Sequence, residues 1–261
     1  MTTAHPQTPN ASLAKRAAAF LILLALYQAA EGIGGRLLHN DLVANLFMLS
    51  SVAAAPLVSR WLGWNWLGAY ALDLKRGAGL IVLCGLVAAA TAKALALAAG
   101  VHLGVYAVGA PSPHADIAAT AIAILAAMLI TAVPSIAEDI ITRGFWLRGA
   151  AIKWSGAAFI LASSAIYLFN HVWRLGEGPI EWLRIFTFGL AYAAAAWRWR
   201  TLWAAFGLHW GWNLSNALLD QFVQISAAST QQSALISAGA HLMLTVLVLA
   251  WPNTESRRQG T

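Results

Sequence analysis

Apolar runs about twenty residues long, each closed by a short polar stretch, repeat along almost the whole chain. A helix needs about twenty such residues to cross a bilayer core. On that basis spans are placed near 17–35, 42–59, 78–100, 116–147, 155–172, 181–197, 201–219 and 234–251. The third run is interrupted by Lys93, which either snorkels to the membrane surface or lines the interior. The stretch "GVYAVGAPSPHAD" (104–116) carries Gly and Pro and is expected to be an irregular connection. No internal repeat stands out beyond a richness in Ala. The expected fold is all-α: a polytopic membrane helical bundle of about eight transmembrane helices.

Composition sharpens this picture. The chain is 60% hydrophobic and 10% charged, against about 25% charged in an ordinary soluble domain. The polar tails are short, so one integrated domain is expected. Residues 1–115 hold spans one to three, 116–220 a chemically distinctive core in spans four to seven, and 221–261 the last span and a tail. The single cysteine, Cys84, lies in an apolar run and is expected to be a buried packing residue without a disulfide. No small-x-small cleavage site follows the first apolar run, which is therefore read as a retained span rather than a signal peptide.

Charge adds a direction. The net charge is +6, but the basic residues sit in loops, which fits a lipid surface and not nucleic acid. Lys15, Arg16, Arg60, Lys75, Arg76, Arg148, Lys153, Arg198, Arg200, Arg257 and Arg258 fall on one side of an eight-span arrangement, and only Arg36, Arg174 and Arg184 on the other. Both termini are thus expected in the cytoplasm. Abundant Ala and a preference for Arg over Lys point to a GC-rich bacterial genome, hence a multi-pass protein of a bacterial inner membrane. Tryptophans at 61, 64, 66, 197, 199 and 203 read as an aromatic belt at the lipid interface.

One stretch breaks the apolar pattern: "TAVPSIAEDIITRGFW" (131–146), where Glu138, Asp139 and Arg143 enter a run that should still be helix. Ionisable groups inside a membrane are costly and tend to be functional. Asp139 and Arg143 stand four apart, share a face and can neutralise one another. Glu138 lies about 100° round the helix and has no such local partner. Pro134 just before it should loosen the helix. A purely structural ion pair would leave Glu138 unexplained.

Two further stretches supply partners. "SSAIYLFNHVW" puts Tyr167 and His171 on one face with Asn170 beside them, and "LWAAFGLHWGWNLSN" puts His209, Asn213 and Asn216 on one stripe. Spans four and five form a hairpin turning near residue 154. At 1.5 Å per residue Glu138 and His171 both lie about 25 Å from that turn, and His209 lies ~14 Å from the turn at Arg200. A hairpin tip projecting ~10 Å into the cytoplasm brings all three to one depth. A carboxylate in an apolar pocket can serve as general base for water, while imidazoles and amides orient that water or donate to an oxyanion. Glu138, His171 and His209 are equally a first shell for zinc. His-Glu-x-x-His, Gly-x-Ser-x-Gly and Gly-Asp signatures are missing, which speaks against a Ser or Cys nucleophile.

Together the three stretches resemble the CPBP intramembrane protease family, which includes the CAAX prenyl proteases and bacterial Abi-type proteins. The family pattern is Glu-Glu-x-x-x-Arg, then Phe-x-x-x-His, then His-x-x-x-Asn or Asp. Here it reads "EDIITRG", "YLFNH" and "HWGWN", with Asp139 in place of the second Glu and Tyr167 in place of Phe. The resemblance covers roughly 116–220. It implies hydrolysis of a peptide bond in a membrane-associated peptide or protein. Glu138 and His171 would activate water, and His209 and Asn213 would steady the oxyanion. Asp139, Arg143 and Tyr167 would support them. Members are described both as zinc enzymes and as metal-free glutamate enzymes; the pairing of His209 with Asn213 one turn apart favours the second. The alternatives are a non-catalytic scaffold or bacteriocin-immunity protein on the same fold, and a transporter or proton relay. A transporter more often shows paired broken helices, and none are evident.

Overall fold

The computed structural model describes residues 9–111 and 116–252. The tail with Arg257 and Arg258, and positions 112–115 of the expected connection, lie outside the described residues. Eight α-helices run through the rest: α1 (Leu13–Ala29), α2 (Asp41–Trp61), α3 (Ala78–His102), α4 (Ile117–Asp139), α5 (Gly156–Asn170), α6 (Pro179–Trp199), α7 (Leu202–Phe222) and α8 (Thr230–Ala250). The protein is an all-α polytopic bundle. Among the described residues five helical segments are long and apolar enough to cross a membrane: Leu13–Leu37, Asp41–Trp61, Ala78–His102, Ile117–Gly149 and Thr230–Ala250. α5 is apolar but short. Helices α6 and α7 carry more polar residues because they line the interior instead of facing lipid. Over Ala191–Ala196 in α6 every residue is fully buried, so this helix stands at the centre. Outward Leu46, Leu49, Leu83, Leu129 and Leu247 are all exposed, as a hydrocarbon solvent permits.

Two helices depart from α geometry in the last part of a span. α1 continues as a π-helical segment, Ala30–Leu37, and α4 as another, Ile140–Gly149. Leu38 N–H donates to the Ile33 carbonyl and Ala150 N–H to Phe145, each five residues back. The expected loosening near Pro134 is therefore found beyond Asp139, where π turns commonly mark functional sites.

Close helix contact explains the small residues. A Cβ on Gly85 would stand 2.7 Å from the Gly207 carbonyl carbon, and one on Gly211 2.8 Å from Leu86 Cα. α3 and α7 thus run side by side at backbone distance, the use membranes make of small residues. Lys93 on α3 lies over the buried Trp212 ring at 5.0 Å, so it faces the interior rather than snorkelling.

Both ends of the bundle hold structure that hydropathy does not show. The connection after α2 folds inward: Ala69, Tyr70, Ala71 and Leu72 are buried, around a 3-10 turn Gly68–Tyr70. Tyr70 Oη donates to the Ala55 carbonyl at 3.0 Å, and Leu202 N–H to the Ala71 carbonyl at 3.1 Å. Arg148 donates to the Gly68 carbonyl and pairs with Asp73 at 2.8 Å. Trp203 Nε1 donates to the Asp73 carbonyl, and Arg148 covers the Trp64 ring. These two tryptophans are therefore tucked in, whereas Trp61 and Trp66 are exposed as a belt would be. At the other end, Tyr106–Pro111 (β1) pairs antiparallel with Val223–Ala227 (β2), Val108 opposite Ile225. The expected irregular connection is thus partly a strand. Its partner lies over a hundred residues away, beyond any local pattern. Cys84, expected to be buried, is exposed on the outer face of α3.

Candidate active site

α4 and α5 form the expected hairpin, turning at 150–155. It brings Glu138 Oε1 to 3.5 Å from His171 Nε2, and α7 brings His209 Nε2 to 3.6 Å from Glu138 Oε2. The three residues placed at one depth by counting do meet. Glu138 is 5% exposed and His209 2%, while the His171 side chain, at 18%, stands at the mouth.

Each imidazole is aimed by its other nitrogen. α5 ends at Asn170, and there His171 Nδ1 takes up the Tyr167 carbonyl at 2.8 Å, one of the acceptors a helix C-terminus leaves free. His209 Nδ1 meets Asp139 Oδ1 at 3.1 Å. Both partners are acceptors, so both Nδ1 atoms carry the proton. Nε2 of each ring is then the atom turned toward Glu138. Asn170 Nδ2 donates to Glu138 Oε1 at 2.9 Å. Gln28 Nε2 on α1 in turn donates to the Asn170 Oδ1 and carbonyl oxygen, at 3.0 and 2.7 Å, and Trp173 Nε1 donates to Gln28 Oε1. The Tyr27 hydroxyl reaches the same Glu138–Asn170 pair.

Behind this front lies an ion pair shut away from water. Asp139 and Arg143 are both fully buried and bond through Oδ1 and Nη1. Asp139 therefore serves two partners, Arg143 and His209. Arg143 lies over the Tyr167 ring at 4.3 Å and the Tyr192 ring at 5.0 Å. These faces meet the part of the guanidinium whose Nε and Nη2 find no hydrogen-bond acceptor among the described residues. Gly144 lets the π segment close in: a Cβ there would come 2.9 Å from the Tyr70 carbonyl oxygen. Tyr167 stands edge-on to both imidazoles, with ring centres 4.7 Å from His171 and 5.9 Å from His209.

Asn213 sits a turn away from the others. Its Nδ2 donates to Ser135 Oγ at 3.1 Å, one turn before Glu138 on α4. One amide N–H is left for another acceptor. Among the described residues no hydrogen bond joins Asn213 to Glu138, His171 or His209. Sequence reading gave no role to Asn170, and it missed Tyr27, Gln28, Trp173, Tyr192 and His241. For Tyr192, its place as a lone polar-tipped residue in "LAYAAAAW" was the available signal.

The geometry suits a carboxylate acting on a small molecule between two imidazoles. The family model described as Rce1-like, type II CAAX prenyl endopeptidase, matches residues 119–215, from the start of α4 to the middle of α7. That segment holds all three motifs, and the resemblance to the CAAX prenyl protease group is supported by it. No curated protein and no solved structure matches the chain.

Proposed function

With an Rce1-like core in α4 to α7 as premise, we propose that the protein is an intramembrane endopeptidase that uses Glu138 to activate water. The observation that carries this is the arrangement around that one carboxylate. Glu138 is buried, fixed on Oε1 by Asn170 and flanked by two imidazole Nε2 atoms at 3.5 and 3.6 Å, while Arg143 is engaged by Asp139. A water beside that carboxylate can hydrogen-bond to it and to an imidazole Nε2 at once.

Glu138 takes one proton from water as the oxygen attacks the scissile carbonyl carbon. The new C–O bond forms, negative charge passes to the carbonyl oxygen, and the C–N bond breaks as Glu138 returns its proton to the leaving amine. His171 orients the water from the mouth. His209 donates to the oxyanion from Nε2 in its protonated form, which Asp139 stabilises through Nδ1. The free amide N–H of Asn213 is the second donor. The substrate is a membrane-associated peptide or protein reached from lipid. In a bacterial host, which makes no prenylated proteins of its own, it is another membrane peptide.

Zinc, if it were the reagent, would be held by Glu138, His171 and His209 and would acidify the water. Among the described residues no group of three or more His, Cys, Asp and Glu is arranged to hold a metal ion, and Asp139 is committed to Arg143 and His209.

Membrane-anchored reporter peptides, with a prenylated CAAX peptide among them, incubated with the purified protein in vesicles test the proposal. Glu138→Gln should fold and accumulate as wild type yet cleave nothing, because an amide cannot accept the water's proton. Cleavage at the wild-type rate by Glu138→Gln would overturn the assignment.

A further inference from the structure

Resting on that function, we infer that His241 on α8 is a positioning residue for His209, acting through Tyr192. α8 lies outside the segment that matches the family model, and none of the three motifs includes it. Yet His241 is fully buried, at 0% exposure. A polar side chain is placed there only with its hydrogen bonds met.

Both of its nitrogens are engaged. Nδ1 meets the Ser237 carbonyl at 2.9 Å, one turn back on α8, and Nε2 meets the Tyr192 hydroxyl at 3.0 Å. The carbonyl can only accept, so Nδ1 carries the proton, and in the neutral ring Nε2 accepts from Tyr192. The imidazole itself is clamped. It stacks on Phe188 with ring centres 3.5 Å apart and stands edge-on to Trp212 at 4.3 Å. His241 is therefore a fixed acceptor, held on two faces and at both nitrogens.

What it fixes is Tyr192, whose ring lies nearly parallel to His209, 4.7 Å away at 20°. The same ring carries Arg143 at 5.0 Å. His209 is thus located by a hydrogen bond in its plane, from Nδ1 to Asp139, and by an aromatic wall against its face. The first sets the direction of Nε2; the second sets its tilt. Tyr192 sits on α6 among Ala191 and Ala193–Ala196, small side chains that let neighbours approach but give the phenol no bond. Its hydroxyl is the only polar point by which the wall can be pinned, and His241 is what pins it.

The test uses full-length protein in vesicles with the same reporter peptides. His241→Phe keeps an aromatic ring but removes the acceptor, and Tyr192→Phe keeps the wall but removes the donor. Each should lower kcat ~5- to 10-fold, the scale of one neutral hydrogen bond, with KM within about twofold and unaltered melting of the protein. The double variant should be no worse than either single one, and His241→Gln, which restores an acceptor, should recover most of the rate. Additive losses, a KM effect alone, or Gln no better than Phe would overturn the proposal. A second readout does not need turnover: the His209 ring signals in spectra of histidine-labelled protein, assigned with His209→Gln. They should shift together in Tyr192→Phe and His241→Phe, and an unmoved His209 signal in both would sink the positioning role even if cleavage by Glu138 holds. If wild type cleaves nothing, the protease function fails, and the spectra still decide whether His241 sets His209.

Discussion

Replacing Asn170 should damage the site more than its place beside the motif histidine suggests. Its amide gives Glu138 Oε1 a 2.9 Å hydrogen bond and is itself held by Gln28 at 3.0 Å. Bonds to a charged group are worth about 1.5–3 kcal/mol. At about 1.4 kcal/mol per decade of rate, losing this one lowers kcat ~10- to 150-fold. That range applies if the bond acts chiefly in the transition state, by holding the carboxylate toward the water. Asn170→Ala tests it. Asn170→Asp should be worse at equal size, because it sets an acceptor against an acceptor where little solvent can intervene. Gln28→Ala, one bond further out, should cost less than either. Initial rates on the reporter peptides, with size exclusion and thermal melting to confirm the fold, give the comparison. A folded Asn170→Ala protein with wild-type kcat, or one no worse than Gln28→Ala, would refute the role.

The remaining expectations concern the ion pair, the oxyanion donor and the topology. Arg143→Ala strands Asp139 in a fully buried place and should destabilise the protein by about 3–5 kcal/mol. It should be read as lost accumulation in membranes, and Asp139→Asn in the same chain should recover part of it. Asn213→Ala should slow turnover by ~100- to 1,000-fold with little change in KM. Stoichiometric zinc in the purified protein, lost together with activity in His209→Ala and restored to wild type by added zinc after chelation, would instead favour the metal mechanism. In a Cys84→Ala background, a cysteine at 226 should be labelled from outside the cell and one at 8 only from the cytoplasm, as the Lys/Arg bias requires. The reverse pattern would invert the bundle.

The helices were legible because hydrocarbon thickness fixes their length, and the predicted spans fall within a few residues of the eight observed helices and their extensions. The meeting of Glu138 with His171 was legible for a related reason. A hairpin with a short turn makes depth a matter of counting, and 1.5 Å per residue is a reliable ruler. What no counting supplies is neighbourhood. Gln28 reaches Asn170 from α1, and His241 reaches Tyr192 from α8, across gaps of 142 and 49 positions; nothing in either local pattern marks them as partners. The π segments were hidden for another reason. Their sequences satisfy the same apolar and small-residue preferences as an ordinary helix, and the packing partner on which the α4 extension closes, the buried turn at Gly68–Tyr70, is remote in sequence.

That buried turn has a mechanical meaning. It holds Arg148 at the far end of the α4 extension through Gly68 and Asp73, and it holds the first residues of α7 through Ala71 and Asp73. The two helices bearing Glu138 and His209 are riveted together at one end, like the blades of tongs. Blades joined at a rivet part only beyond it. Glu138 stands ten residues from Arg148, a lever arm of ~15 Å, so each degree of opening moves it by ~0.3 Å. Most of the travel falls at the free end, where the α1 extension, Trp173 and the paired strands lie.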